Sequence, residues 1–241
     1  MVRTILFDLD GTLIHYDFDV FIREYLGSLA ARVAPLVEPQ RLVRQVMRST
    51  EAMVRNLDPR KTNRQVFIED FFPKIGLPES VLMPVFDRFY KSDFPLLKER
   101  LGIEAHPAAR KMVESLLLRG FDVVIATNPV FPLLAVEERM RWGGLDGLPY
   151  RLVTSYEAMH FCKPNLEYFQ EVLSIIGRKP EECLMVGNDV EEDLAAGALG
   201  MKTYLVEDFI LDRGRAQNRP DFRSDFKALV DFMESGGILG L

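Results

Sequence analysis

Short apolar segments separated by amphipathic ones make up most of the chain beyond residue 106. Such segments are typical of β-strands covered on both faces. Together with the N-terminal run they are 2–7, 123–126, 151–154, 183–186 and 203–206. Proline and glycine punctuate the intervening helices, which are predicted over 107–120, 164–177 and 191–198. This alternation predicts an α/β fold with a parallel sheet of about five strands, whose ligands bind beyond the carboxyl ends of the strands.

Residues 14–105 have a helical rather than an alternating pattern. Apolar side chains recur three and four positions apart, as in amphipathic helices. The first stretch contains Phe18, Phe21, Ile22, Tyr25, Leu26, Leu29 and Val33. Later stretches begin at Pro39, end at Gly76 and begin again after Pro78. We interpret the aromatic residues as helix core and predict an all-helical domain of residues 14–105, inserted into a domain made of 1–13 and 106–241.

The composition predicts a globular protein, since 48% of the 241 residues are hydrophobic. The N-terminal apolar run is too short for a signal peptide, and no segment approaches the ~18 apolar residues of a membrane span. We therefore expect a cytoplasmic protein with no membrane partner, as a monomer or a homodimer. The net charge of −6 disfavours nucleic acid as a partner. Cys162 and Cys183 lack the spacing of a disulfide framework or a metal site.

The most informative polar positions follow the first predicted strand, in the sequence Asp8-Leu9-Asp10-Gly11-Thr12. Side chains alternate along extended backbone, so Asp8 and Asp10 point the same way, and Gly11 lets the chain turn beyond them. A simple turn would use the same residue types. Whether Asp8 and Asp10 form a simple turn or a functional site depends on the polar segments at the other strand ends.

Three further polar segments lie beside predicted strand ends or helix starts. Thr127 and Asn128 follow the second strand, Lys163 precedes a helix, and Asp189 and Asp193 follow the fourth strand. Taken one at a time, they are consistent with a turn, a solvated lysine and a helix cap. Because the carboxyl ends of parallel strands meet at one edge, we expect these side chains to lie together with the first two acids.

In this order, the four segments resemble the four motifs of the haloacid dehalogenase-like superfamily. The corresponding residues are Asp8 to Thr12, Thr127, Lys163-Pro164, and Gly187 to Asp193. The resemblance implies a Rossmann-like core with a helical cap domain, the cap being residues 14–105. It also implies Mg²⁺-dependent hydrolysis of a small phosphorylated metabolite, a phosphate monoester, through an aspartyl-phosphate.

The residue types agree with the roles that the resemblance implies. Asp8 is the expected nucleophile, and Asp10 is the expected proton donor and acceptor. Lys163 would neutralise Asp8 and a phosphoryl oxygen. Thr127 and Asn128 would donate hydrogen bonds to the other phosphoryl oxygens.

The implied Mg²⁺ ligands are Asp8, the main-chain carbonyl of Asp10, and the fourth-motif acids Asp189 and Asp193. The fourth motif departs from the Gly-Asp of many members, because Asn188 follows Gly187. Aligned through Asp189, it keeps the family's spacing to Asp193, and we predict Asp189 as the metal ligand with Asp193 as a supporting acid. Aligned through Gly187, it has asparagine in place of the first acid, so the relative roles stay open.

Other activities of the superfamily are alternatives. Dehalogenases lack the second acid of the first motif, so Asp10 disfavours dehalogenation. Phosphonate hydrolysis would need a cap lysine, for which Lys61 is the candidate in the first half of the cap. A phosphomutase would use the same two aspartates with a sugar hydroxyl as the attacking group. The alternative of another class is a catalytically weak binding or regulatory protein, which the intact motifs disfavour.

The most basic stretch of the cap runs from Arg55 to Arg64. We expect Arg60 and Arg64 to bind a second acidic group of the substrate, although solvated surface charges would have the same composition. His15 and Tyr16 follow the first motif at the cap hinge, where each either faces the site or packs in the core.

Overall fold

Six parallel strands form one sheet in the computed structural model, which describes residues 1–215 and 217–240. They are β1 (Thr4–Phe7), β2 (Asp122–Ile125), β3 (Leu152–Val153), β4 (Cys183–Gly187), β5 (Lys202–Val206) and β6 (Phe222–Ser224). The order is β3-β2-β1-β4-β5-β6. Chain order reverses beside β1, which is where ligands of open α/β sheets bind. The predicted α/β fold is confirmed.

The helices between β1 and β2 begin and end near the predicted punctuation. They are α1 (Phe18–Val33), α2 (Pro39–Val54), α3 (Asn63–Ile75), α4 (Glu79–Ser92), α5 (Leu97–Leu101) and α6 (Pro107–Leu118). Helix α3 starts with a capping box between Thr62 and Gln65, and ends at Gly76, whose φ of 75° suits glycine. We call the first five helices the cap, and α6 returns the chain to the sheet.

Helices cover both faces of the sheet. After β2 come α7 (Leu133–Trp142), α8 (Leu166–Ile176) and α9 (Phe226–Glu234). Because side chains alternate along β1, Ile5 and Phe7 pack in a cluster that includes residues of α6 and α9, while Leu6 packs with residues of α8. Of the described helices, none has the length and apolar character needed to cross a membrane. Cys162 and Cys183 are buried free thiols.

Two elements differ from the sequence prediction. The predicted sheet lacked β6, a three-residue edge strand whose residues are only partly covered. A helix was predicted over 191–198, but the chain forms turns followed by a 3₁₀ helix at Leu194–Leu199. One carboxylate oxygen of Asp189 accepts the backbone N–H groups of Glu191 and Glu192, at 3.0 and 2.9 Å, as in an Asx-turn.

Candidate active site

The turn after β1 holds the first two acids at the centre of the sheet edge. Asp8 continues the β1–β4 pairing, its N–H donating to the Val186 carbonyl at 2.8 Å. Gly11 has a φ of 79°, and a Cβ there would overlap the side chain of Asn188. Thr12 in turn donates its hydroxyl to Asn188 Oδ1 at 2.9 Å. Asn188, which stands where many family members have aspartate, therefore packs against this turn and stabilises it.

Lys163 joins two buried carboxylates. Its Nζ lies 3.0 Å from Asp8 Oδ1 and 2.6 Å from Asp193 Oδ1. Burial alone would lower the pKa of Lys163, but the neighbouring charges of Asp193 and Asp8 hold it well above its usual range. Burial raises the pKa of Asp8 to about 7, although Lys163 opposes the shift. The lysine is therefore a fixed positive charge under Asp8.

Asp193 acts on the site through Lys163 and the backbone. Its second oxygen accepts the N–H of Asp189 at 2.9 Å, so both of its oxygens are directed into the protein. A Cβ at position 187 would overlap this carboxylate, which explains the glycine. Gly187 thus allows Asp193 to pass close to β4 and to orient the lysine.

The variant Gly187→Ala is expected to push Asp193 away from Lys163 and to destabilise the protein by about 1–3 kcal/mol, the usual cost of overpacking. Any turnover that depends on this site should fall with it, because Lys163 would lose one of its two partners. The matched control is Gly197→Ala, where a Cβ meets only an ordinary contact at 3.7 Å. Urea unfolding that gives both variants the stability of the parent protein would contradict this role for Gly187.

Asp10 is held by two side chains from different parts of the chain. The Tyr16 hydroxyl and Arg139 Nη1 each donate a hydrogen bond to its carboxylate. Arg139 is fully buried on α7, and its guanidinium lies 4.5 Å from the ring centroid of Phe131. Its Nη2 has no hydrogen-bond partner among the described residues. One donor of this buried guanidinium is therefore unused in the described part of the chain.

Sequence reasoning named Tyr16 but missed Arg139. The available signal was a charged residue among the apolar positions of an amphipathic helix, which is rare without a partner. His15 does not reach the acids: it contacts the Thr12 carbonyl at 3.2 Å and packs on His106 and Phe226. Burial lowers the pKa of His15. His15 is therefore a packing residue of the hinge.

Thr127 and Asn128 follow β2 and line the same cavity as the first two acids. The Thr127 carbonyl accepts hydrogen bonds from the Thr154 hydroxyl at 2.7 Å and the Tyr168 hydroxyl at 3.1 Å, which fixes the loop. Asn128 Nδ2 donates to Glu192 Oε2 at 2.9 Å. Its Oδ1 has no partner within the described part of the chain.

A loop after β5 brings a second missed arginine to the site. Backbone hydrogen bonds of 2.9 Å join Val190 to Leu211 and Leu211 to Asn188, so the loop lies across the fourth motif. Arg213 Nη1 then reaches Asp189 Oδ2 at 2.7 Å. The sequence does not predict this contact, because the loop has no periodic pattern of apolar residues from which its path could be inferred.

These residues enclose a cavity of about 60 Å³ at the carboxyl ends of β1, β2 and β4. It brings together five predicted site residues, which are Asp8, Asp10, Thr127, Asn128 and Asp189. Lys163 and Asp193 lie buried beneath its floor. The cavity therefore joins carboxylates to hydrogen-bond donors, with a lysine charge behind them.

The donor set suits a hard divalent cation. Four carboxylates line the small cavity against two arginines, and oxygen is the ligand atom that Mg²⁺ prefers. Across residues 1–215 and 217–240, no three acidic, His or Cys side chains converge closely enough to hold a metal by themselves. Mg²⁺ usually takes one or two carboxylates plus waters and substrate oxygens, and Asp8 and Asp189, which line the same cavity, are two such carboxylates. Arg213 now occupies one oxygen of Asp189, and a cation there would compete with it.

The basic stretch of the cap is not brought to the small cavity. Arg60 is exposed and pairs with Asp58, and Lys61 pairs with Glu69 at 2.6 Å. Arg64 lines a larger neighbouring cavity, where it faces Glu79 at 3.5 Å. Each of these cations already has an acidic partner on the cap.

A model of the haloacid dehalogenase-like hydrolase family matches residues 2–200 of this chain. The chain belongs to the haloacid dehalogenase-like hydrolases. The resemblance of the four motifs is thus confirmed. This hydrolase is 26% identical over 238 residues to the pyrophosphatase PpaX of Bacillus cereus (strain AH820), covering 93% of this chain and 92% of the relative.

Solved structures of the family share the fold. A HAD phosphatase from Thermococcus onnurineus matches with a TM-score of 0.59 and 17% identity, over 99% of this chain and 98% of the other. The L-2-haloacid dehalogenase from Xanthobacter autotrophicus matches with a TM-score of 0.58 and 16% identity, over 96% and 98%. Because this fold hosts both activities, the chemistry has to be argued from the site itself.

Proposed function

We propose that this hydrolase cleaves a small phosphate monoester with Mg²⁺, through an aspartyl-phosphate formed on Asp8. The observation that carries the proposal is the shared cavity of Asp8 and Asp10, with Thr127 and Asn128 on its wall and Lys163 below. The second acid, Asp10, favours phosphate transfer over dehalogenation. The similarity to a relative named as a pyrophosphatase supports phosphorus–oxygen bond cleavage as the reaction class.

In the proposed reaction, an oxygen of Asp8 attacks phosphorus and the alcohol leaves with a proton from Asp10. Asp10 then takes a proton from the water that attacks the phosphorus of the aspartyl-phosphate, which frees Asp8 and phosphate. Thr127 would donate to a phosphoryl oxygen, as would the Asn128 amide on giving up its contact with Glu192, and Lys163 would supply fixed positive charge. Mg²⁺ held by Asp8 and Asp189 would offset the charge that gathers when a phosphate dianion meets two carboxylates.

Asp193 is proposed as the positioning acid of this set. One carboxylate oxygen of Asp193 accepts a hydrogen bond from Lys163, and the other accepts one from the backbone. Asp189, by contrast, lines the cavity. This difference supports Asp189 as the direct metal ligand. Arg139 and Tyr16 are proposed to orient Asp10.

The variant Tyr16→Phe tests this orientation. Removing the hydroxyl should lower kcat by about 10- to 100-fold and leave KM unchanged, because Tyr16 contacts Asp10 and a loosely held acid transfers protons poorly. The control is Tyr204→Phe on β5, whose hydroxyl contacts Ser224 at 2.6 Å. Both variants lose one hydrogen bond, worth about 1 kcal/mol. Equal kcat in the two variants would contradict the role of Tyr16 in orienting Asp10.

Hydrolysis of p-nitrophenyl phosphate tests the proposed function. The protein should release p-nitrophenol with Mg²⁺, and should stop when EDTA removes the metal. The variant Asp8→Asn serves as the blank, because it removes the nucleophile and keeps the size of the side chain. Turnover that equals this blank, or that is unaffected by EDTA, would refute a metal-dependent phosphatase.

A further inference from the structure

A second and larger cavity lies between the cap and the core. Its volume is about 610 Å³, within the range of small-molecule sites. Its walls come from α1, α2, α3, α4 and the loop between β2 and α7. The apolar wall includes Ile22, Leu26, Leu29, Phe67, Met83 and Phe86.

This cavity adjoins the small one that contains Asp8. The two have common lining residues, namely Phe18, Asn128, Val130, Phe131, Glu192 and Arg213. A phosphate seated against Asp8 would therefore carry its leaving group towards the apolar wall. This continuity assigns the larger cavity to the substrate rather than to a separate ligand.

The charges of the larger cavity disfavour a second anionic group. Five carboxylates line it, against only Arg64 and Arg213. Arg64 faces Glu79 at 3.5 Å, and Arg213 pairs with Asp189 at 2.7 Å. A second phosphate or carboxylate placed there would meet mostly like charges, whereas an apolar group would gain buried contact with the wall.

We propose that the alcohol released by this hydrolase is a bulky, uncharged and mainly apolar one, which the larger cavity selects. The proposal rests on the proposed phosphatase function and adds the class of substrate. The balance of the reaction is ordinary hydrolysis: the ester P–O bond breaks, a P–O bond to water forms, and the alcohol takes the proton. Phenyl, naphthyl and branched alkyl phosphates belong to this class, whereas pyrophosphate and phosphoglycolate do not.

A series of alkyl phosphates measures this selectivity. With Mg²⁺ present, kcat/KM should rise up to about fourfold per methylene from ethyl to butyl to hexyl phosphate, which corresponds to about 0.8 kcal/mol per buried CH₂. Pyrophosphate and 2-phosphoglycolate should react at least about tenfold less efficiently than hexyl phosphate. A flat series, or pyrophosphate as the best substrate, would overturn the inference and leave the phosphatase function standing.

A pair of variants on α4 places the effect in the cavity. Met83 lines it, whereas Val81 is exposed on the same helix and is not part of the lining. Met83→Asp should lower the hexyl-to-ethyl ratio of kcat/KM by at least about tenfold, because it puts a charge on the apolar wall. Val81→Asp should leave that ratio unchanged. Cooperative thermal unfolding of both variants is the check that they fold. Equal ratios in the two variants would overturn the inference.

Binding of an uncharged fluorophore tests the cavity without any turnover. N-phenyl-1-naphthylamine should bind the metal-free protein saturably, hexyl phosphate should displace it, and Met83→Asp should weaken its binding. If no phosphate ester were hydrolysed, these results would still show that the larger cavity takes an uncharged apolar group, so failure of the phosphatase function and failure of the cavity's selectivity are told apart. Absence of binding would overturn the inference. So would dimer formation that Met83→Asp abolishes, because a second copy of the chain would then cover the apolar wall.

Discussion

Replacing Asp8 by asparagine is expected to reduce kcat for phosphate esters by about 10⁴-fold or more, with the fold intact. The amide has nearly the same shape as the carboxylate but does not attack phosphorus, and loss of a nucleophile removes the step on which the other groups act. Lys163 keeps its contact with Asp193 at 2.6 Å, so the floor of the site should persist. Steady-state kinetics at saturating Mg²⁺ measure the loss.

The same variant should gain stability relative to the parent as the pH rises, in protein kept free of metal. Burial raises the pKa of Asp8 from 3.8 to about 7, so the native state binds its proton more tightly than the unfolded chain does. Stability contributed by this group is therefore lost as the pH rises through that interval, and asparagine abolishes the loss. Urea unfolding in EDTA at about pH 5 and about pH 8 should show the difference between variant and parent growing.

The control for this pH effect is Asp58→Asn on the cap. Hydrogen bonds from Arg60 hold the pKa of Asp58 below its usual range, so it stays ionised in both folded and unfolded chains at these two pH values. The stability difference that it produces should be the same at both. If the difference in unfolding stability between Asp8→Asn and the parent is also the same at both pH values, the pKa of Asp8 is not raised by burial.

Replacing Lys163 by methionine is expected to destabilise the protein by about 3–5 kcal/mol, the cost of removing one partner from a buried ion pair. Methionine fills a similar volume, so the loss would come mainly from charge. Asp8 and Asp193 would remain buried with no cation between them. Equilibrium urea unfolding measures the loss, and turnover should be abolished as well.

The matched control is Lys61→Met on the cap surface. Lys61 also contacts a carboxylate at 2.6 Å, that of Glu69, but both side chains are about half exposed. Exposed pairs contribute about 0–1 kcal/mol, so this variant should be nearly as stable as the parent. Equal losses for the two lysine variants would mean that Lys163 is not held as a buried charge.

The sequence revealed the parts of the site that sit at the ends of strongly apolar strands. Asp8 and Asp10 follow β1, where alternation along extended backbone predicts that they share a side. Parallel pairing brings the ends of β2 and β4 beside the end of β1. The cap helices were equally readable, because their apolar period and their proline and glycine boundaries agree. Local pattern and global topology point the same way in these elements.

The residues that sequence reasoning missed are positioned by long-range packing. Arg139 meets Asp10 across 129 positions of the chain, and its helix shows only that one charged residue falls on a buried face. Arg213 depends on how a loop crosses the fourth motif. Strand β6 has only three residues and no buried apolar run. No periodic pattern in the sequence predicts these contacts. The apolar residues that line the larger cavity could be interpreted from the sequence only as helix core.

Borohydride trapping during turnover tests whether Asp8 carries the phosphoryl group. Borohydride reduces an acyl phosphate to an alcohol, so an aspartyl-phosphate becomes homoserine. The protein would be mixed with p-nitrophenyl phosphate and Mg²⁺, reduced, digested with trypsin and sequenced by mass spectrometry over the peptide of residues 4–23. We expect homoserine at position 8, only when substrate is present. Ongoing turnover with Asp8 unreduced, or with reduction at Asp10 instead, would contradict it.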